Sequence, residues 1–299
     1  MLVPRLDLPK RAGSAKSPVR NRGKPGIHAI QSVALMGTFV SAYNPLYSLA
    51  GFLVGALVGM TGVGGGSLMT PILVLLFDFH PVTAVGTDLL YASVTKTVGT
   101  MVHGKRQTVD WHIVGGLALG SVPASLATLF VMSRLNTLRT GDPLVLDVLL
   151  GAVLLLTAFA VFFRPWIIRR AGPHFSGLPE ARISHWTVLL GAVLGVLVSV
   201  TSVGAGALGT TALLLLYPRL PVARIAGSDI AHAVPLTLIA GIGHWLMGSV
   251  DFGLMLALLA GSIPGIIAGS LLGSRSSDKI LRPVLAVTLL VVSIRLLTR

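Results

Sequence analysis

Thr61-Gly62-Val63-Gly64-Gly65-Gly66-Ser67 interrupts an apolar region that runs from about Tyr47 to Phe77. A second copy, Thr201-Ser202-Val203-Gly204-Ala205-Gly206-Ala207, interrupts another apolar region from about Trp186 to Tyr217. Clustered glycines are poor helix formers. In lipid, unravelled backbone is tolerated only where protein or a water-filled cavity satisfies its polar groups. Two glycine-rich breaks at matching places therefore predict two interrupted helices that face an interior, the pattern that marks the substrate site of secondary transporters.

The surrounding composition belongs to a membrane protein. Of 299 residues 53% are hydrophobic and 11% charged, and the mean hydropathy is +0.85. A soluble chain carries roughly a quarter charged residues. The apolar runs predict spans at Tyr47–Met60 with Leu68–Phe77, Pro81–His103, Trp111–Met132 and Leu144–Phe163. The second half repeats them at Trp186–Val200 with Leu208–Tyr217, Pro221–Met247, Phe252–Leu272 and Ile280–Leu297. Several reach the roughly 20 residues a helix needs to cross a bilayer.

The repetition extends to individual residues. Gly51, Gly55, Thr61, Gly64, Gly66, Thr70 and Pro81 match Gly191, Gly195, Thr201, Gly204, Gly206, Thr210 and Pro221. One residue further out of step, Gly86-Thr87-Asp88 matches Gly227-Ser228-Asp229, His103 matches His244, Asp110 matches Asp251, and Gly120-Ser121 matches Gly261-Ser262. An internal duplication accounts for this.

The expected fold is an all-α polytopic membrane protein of about eight transmembrane helices in two homologous halves, the first helix of each half interrupted by its Gly-rich break. Residues 1–45 form a basic tail, disordered by composition, 46–163 the first membrane repeat, 164–184 a basic linker and 185–299 the second repeat. If each interrupted region crosses once, the halves are parallel in a 4+4 arrangement, which is the arrangement adopted here. If each is a re-entrant hairpin, the halves are inverted.

Charge and residue types narrow the function. The net charge of +13 follows from basic loops flanking membrane spans, and it also suits an anionic ligand. Residues 1–27 hold seven Lys/Arg, one acid and four prolines, without the short apolar core and cleavage site of a signal peptide; Met36 is an alternative start. There is no cysteine, which excludes disulfides and thiolate sites. No Gly-Lys-Ser/Thr follows either glycine cluster and no nucleophile elbow appears, so no enzyme chemistry is expected. No tight His/Asp cluster calls for a metal, and no cofactor is implied. No polar domain exists to bind nucleic acid.

Broken helices expose half-helix N-termini that favour anions. The candidate substrate-binding residues are Gly64, Gly65, Gly66, Ser67, Thr70 and Lys96 in the first half and Thr201, Gly204, Gly206 and Thr210 in the second. Lys96 lies well inside a span, on one face with Thr100 and His103, placed to hold an anion or to pair with Asp88. Asp88 and Asp229 lie seven or eight residues inside spans that open with proline, and intramembrane carboxylates are functional candidates by default. With His232, one turn past Asp229, they are the candidates for proton coupling. His103 and His244, near span ends, read as solvated structural histidines. Trp111, Trp186 and Trp245 fit an interfacial aromatic belt.

Gly-Phe-Leu-Val-Gly at residues 51–55, Gly-Val-Gly-Gly-Gly-Ser at 62–67 and Ala84-Val85-Gly86-Thr87-Asp88, with the weaker second copy, resemble the TauE/SafE sulfite and organosulfonate exporter group, also called the toluene sulfonate uptake permease family. The resemblance covers about Leu49 to Leu297. It implies a multi-pass carrier of the bacterial inner membrane for sulfite, organosulfonates or related sulfur-containing or carboxylate anions. The expected partners are a small anionic substrate and the lipid bilayer, with assembly into a homo-oligomer left open. An anion channel and a non-transporting assembly partner are the competing readings.

Overall fold

The computed structural model describes residues 44–61, 68–105, 108–134, 143–272 and 278–298. The tail and the first glycine break, with Gly64, Gly65, Gly66 and Ser67, lie outside them. Eleven helices and no strand are found among the described residues. In chain order they are α1 Pro45–Thr61, α2 Met69–Leu75, α3 Pro81–Lys105, α4 Trp111–Arg134, α5 Pro143–Phe162, α6 Arg164–Ser176, α7 Glu180–Thr201, α8 Ala207–Leu216, α9 Val222–Leu246, α10 Phe252–Leu272 and α11 Asp278–Leu297.

Four of these (α4, α7, α9 and α10) are long and apolar enough to cross a membrane, or five if α5 and α6, bent by 77°, make one span. That is fewer than the eight expected. The α3 helix has the length, 25 residues, but is the chain's most polar long interior element, with Thr87, Asp88, Ser93, Thr95 and Lys96 all buried. Helix α6 lies within the basic linker, and its first residue, Arg164, is 3% exposed.

The helices pack through small residues, the usual device where lipid offers no hydrophobic drive between helices. Gly51, Gly55 and Gly59 on α1 face Leu258, Ser262 and Ile266 on α10, so these two helices run in the same direction. Gly191 and Gly195 on α7 face Leu117 and Ser121 on α4 in the same parallel sense. A Cβ on Gly51 or on Gly191 would collide with the backbone carbonyl of Leu258 or Leu117.

The two central helices run the other way to each other. Gly86, Leu90 and Gly99 of α3 meet His244, Gly241 and Ile230 of α9. Likewise Gly151 of α5 meets Ser293 and Leu297 of α11, while Phe159 and Phe162 line a groove with Ala286 and Leu290. So α3 and α9 are antiparallel, as are α5 and α11.

The helix breaks reverse the chain. Tyr47 near the start of α1 stacks edge-on against Phe77 just beyond α2, centroids 4.8 Å apart. Thr187 near the start of α7 hydrogen-bonds the Tyr217 hydroxyl at the end of α8, at 2.8 Å. In each pair the chain folds back, so that the first part of the longer helix meets a residue just beyond the shorter one. Glycine tolerates either course, and these contacts at the hairpin bases select the reversal.

Candidate functional site

The second break begins where Ser202 adopts a left-handed conformation, φ 58°, and ends α7. Gly204 and Gly206 follow with φ of 121° and 118°, values that side-chain-bearing residues rarely reach. Thr201 is committed to this turn: its hydroxyl donates to the Leu197 carbonyl at 2.7 Å and accepts the Val203 N–H at 3.1 Å. The hairpin then resumes as α8, with the Gly209 N–H on the Gly204 carbonyl at 3.2 Å and the Thr210 N–H on the Gly206 carbonyl at 3.1 Å.

The hairpins hold the two intramembrane carboxylates. Thr70 on α2 donates its hydroxyl to Asp88 Oδ2 at 2.5 Å and its backbone N–H to the same oxygen at 3.2 Å. Thr210, its match on α8, donates to Asp229 Oδ2 at 2.9 Å and also faces the Gly206 carbonyl. Thr70 and Thr210 thus serve carboxylates, and all four side chains are fully buried. Ser202 at the tip of the second hairpin crosses to Asp88 Oδ2 at 3.0 Å.

The sequence reading passed over Ser202 because its match in the first half is Gly62, so comparing the copies hides it. It also passed over Gly209, whose match is Met69. A Cβ there would collide with Asp229 Oδ1, so only glycine lets α8 approach this carboxylate.

The carboxylates sit at different depths. Gly86 of α3 lies against His244 of the antiparallel α9, which puts Asp88 level with about residue 242 of α9. Asp229 is therefore about 20 Å away along the helix axis at 1.5 Å per residue. The second hairpin touches both levels, through Ser202 at its tip and Thr210 in the first turn of α8.

Lys96 lies in that interval. It is 7% exposed, lies about 12 Å along α3 from Asp88 at 1.5 Å per residue, and makes no ion pair among the described residues. Oδ1 of each carboxylate has no hydrogen-bond partner among the described residues.

A second set of polar contacts links the matching halves. The Asp110 N–H donates to Ser228 Oγ at 2.8 Å, and the Asp251 N–H to Thr87 Oγ1 at 3.0 Å. His232 Nε2 is 2.8 Å from Ser121 Oγ. His244 corrects the sequence reading: it is 1% exposed rather than solvated, with Nε2 on the Ser199 carbonyl at 2.9 Å. Its match, His103, has a side chain outside the described set. Trp111, Trp186 and Trp245 lie near helix ends and are 67%, 48% and 51% exposed, as an interfacial belt requires. No cluster of metal-ligating side chains occurs among the described residues.

Residues 47–296 match the sequence model of the family described as Sulfite exporter TauE/SafE. The chain belongs to this family. It is similar to the probable membrane transporter protein YjnA of Bacillus subtilis, with 38% identity over 250 residues that cover 83% of this chain and 98% of that one. YdhB of the same organism, also a probable membrane transporter protein, is 27% identical over 75% of this chain and 88% of its own. MJ0441 of Methanocaldococcus jannaschii, named likewise, is 26% identical over 69% and 74%. No solved structure matches. The TauE/SafE match and the apolar helices together identify a multi-pass membrane protein of a transporter family.

Proposed function

We propose that this TauE/SafE protein is a secondary carrier of small anions, proton-coupled, and that its two halves, residues 46–163 and 185–299, are inverted repeats working by alternating access in the bacterial inner membrane. The substrates are sulfite, organosulfonates or related sulfur-containing or carboxylate anions. The carrying observation is that one unwound hairpin touches both carboxylates, Ser202 on Asp88 and Thr210 on Asp229, with Lys96 between them.

Inversion is supported by the antiparallel pairing of matching helices α3 with α9 and α5 with α11. Helices α1 and α10, from opposite halves, run parallel, and so do α4 and α7, as an in-plane two-fold axis demands. A hairpin whose ends meet on one side leaves each half with an odd number of crossings, which inverts the second half relative to the first.

The anion binds beside Lys96 against the backbone of Gly204–Gly206, with Gly64–Ser67 as the matching segment of the first half. Coupling follows from charge. An anion in this place faces two carboxylates and one ammonium. At about 10 Å and an effective dielectric near 20, each ionised carboxylate opposes it by about 2 kcal/mol. A proton on a carboxylate removes that term and leaves with the anion.

The test is uptake of radiolabelled sulfite, sulfate, thiosulfate, a sulfonate and a carboxylate into proteoliposomes, with and without a pH gradient. Saturable uptake of one of them, accelerated by the gradient, is the expected result. Absence of flux for every anion, from inserted and folded protein, overturns the reading.

A further inference from the structure

Helix α6 follows α5 at a bend of 77°. The 20 residues of α5 measure about 30 Å, the thickness of the hydrocarbon core. Helix α6 therefore leaves that span nearly in the plane of the membrane. Its residues suit that place. Ile168 packs on the core beneath, while Trp166, Arg169, Arg170 and His174 are exposed. An exposed tryptophan among arginines is the composition of the membrane–water interface.

The bend stands over a groove of about 200 Å³. Phe159, Phe162 and Phe163 form one wall, Ala286, Val287 and Leu290 of α11 the other, and every lining residue is apolar. Phe163 stacks on Phe159 with centroids 5.9 Å apart and meets Phe162 edge-on at 5.1 Å, so the three rings make one continuous surface. Phe159, Phe162 and Val287 are each more than half exposed. The groove is thus open toward the lipid.

Cations flank the end of the groove at the bend. Phe163 is the residue before α6. Arg169, exposed, folds back along α6 and donates its Nε–H to the Pro165 carbonyl at 3.3 Å, which turns its guanidinium toward the bend. Arg170 is its neighbour, and α6 contains no acid. Helix α11 is antiparallel to α5 and so begins at the same membrane face. Its first five residues hold Lys279 and Arg282 against one acid, Asp278.

An apolar slot beneath a cationic rim, at the depth where acyl chains meet headgroups, is complementary to a lipid with a negative headgroup. A second copy of the chain fits less well, because a two-fold contact sets each patch against itself and brings arginine against arginine. We propose that the groove between α5 and α11 binds one anionic phospholipid, with an acyl chain along the phenylalanines and the phosphate on Arg169 and Arg170. The inference is independent of the carrier reading. The bound chain lies close behind the second break, since Ala286 of the groove forms a buried cluster with Val161 and with Ala207, the first residue of α8. An occupied groove supports that hairpin and stabilises the fold.

The full-length protein in a non-ionic detergent is titrated with phosphatidylglycerol. Phosphatidylcholine with the same chains and free glycerol phosphate are the two comparisons. Native mass spectrometry counts bound lipid and reports the oligomeric state, and thermal melting reports stabilisation. Arg169→Gln/Arg170→Gln removes the rim charge, and Val287→Trp fills the groove. All three altered side chains are exposed, so neither variant disturbs the core.

The expected result is one phosphatidylglycerol per chain, bound about thirtyfold more tightly than phosphatidylcholine, the effect of two arginines on an anionic headgroup, with a rise in melting temperature. The arginine variant loses this preference, and Val287→Trp weakens binding of both lipids. Equal binding of the two lipids by the parent chain overturns the proposal without recourse to any variant. Preference unchanged in the arginine variant also overturns it. So does glycerol phosphate that stabilises the parent as well as the lipid does, which marks a site for free phosphate. A lipid-free dimer that Val287→Trp dissociates shows a second copy in the groove and overturns it too.

Discussion

Replacing Ser202 tests whether the hairpin tip is tied to the other half's carboxylate. Ser202 contributes one hydroxyl, 3.0 Å from Asp88 Oδ2, and is 6% exposed. A hydrogen bond to a charged group is worth about 1.5–3 kcal/mol. Ser202→Ala removes it and keeps the left-handed backbone at φ 58°, so the full loss appears. Ser202→Gly removes the same bond but relieves the left-handed strain, a gain of about 1 kcal/mol after the extra chain entropy of glycine.

The stability order is therefore parent, then Gly, then Ala, with the two variants about 1 kcal/mol apart. Thermal melting in detergent, followed by fluorescence-detected size exclusion, measures it. An Ala variant as stable as the parent refutes the tie to Asp88. A Gly variant less stable than Ala refutes the backbone conformation assigned to this residue.

Three further outcomes follow from the same geometry. Gly51→Ala and Gly191→Ala each drive a methyl into a backbone carbonyl of the facing parallel helix, and each lowers melting stability by about 1–3 kcal/mol. Gly115→Ala, with nothing within 4 Å of its Cβ inside α4, is the control without a clash and raises stability by about 0.5–1 kcal/mol in the same melting assay. Asp229→Asn removes one opposing charge of about 2 kcal/mol, so anion binding at alkaline pH tightens by about tenfold or more while stimulation by a pH gradient is lost; equilibrium binding and gradient-driven uptake check the two halves of that statement. The chain has no native cysteine, so a Tyr47→Cys/Phe77→Cys pair reports the hairpin directly: it crosslinks, and both single cysteines react with an impermeant reagent from the same side of the membrane.

Much of this arrangement was legible in the chain. The boundaries of α4, α5, α9, α10 and α11 fall within two or three residues of the apolar runs, because a bilayer fixes both the length and the polarity of what crosses it. Asp88 and Asp229 stood out as charges inside such runs. Their bonding to Thr70 and Thr210 was not read, although both pairs occur at matching places, because each residue type was assigned a separate task.

The reversal at the breaks was not legible. It is decided by Tyr47 on Phe77 and Thr187 on Tyr217, contacts between residues 30 apart that no local signal encodes. Helix α6 was not read because Arg164, Arg169, Arg170 and Arg182 mark the segment as a basic linker, and that charge pattern does not say whether it is helical. His244 was placed in solvent by its distance from the helix end, but α3 and α7 pack over that end.

The central claim is that Lys96, buried on α3 at a level between the two carboxylates, holds the transported anion. Saturable anion uptake into proteoliposomes by the parent chain and by Lys96→Met, compared at matched amounts of folded protein, tests it most directly. The account predicts saturable uptake by the parent and loss of saturation by Lys96→Met with folding retained. Equal uptake and equal apparent affinity in the two proteins contradict it.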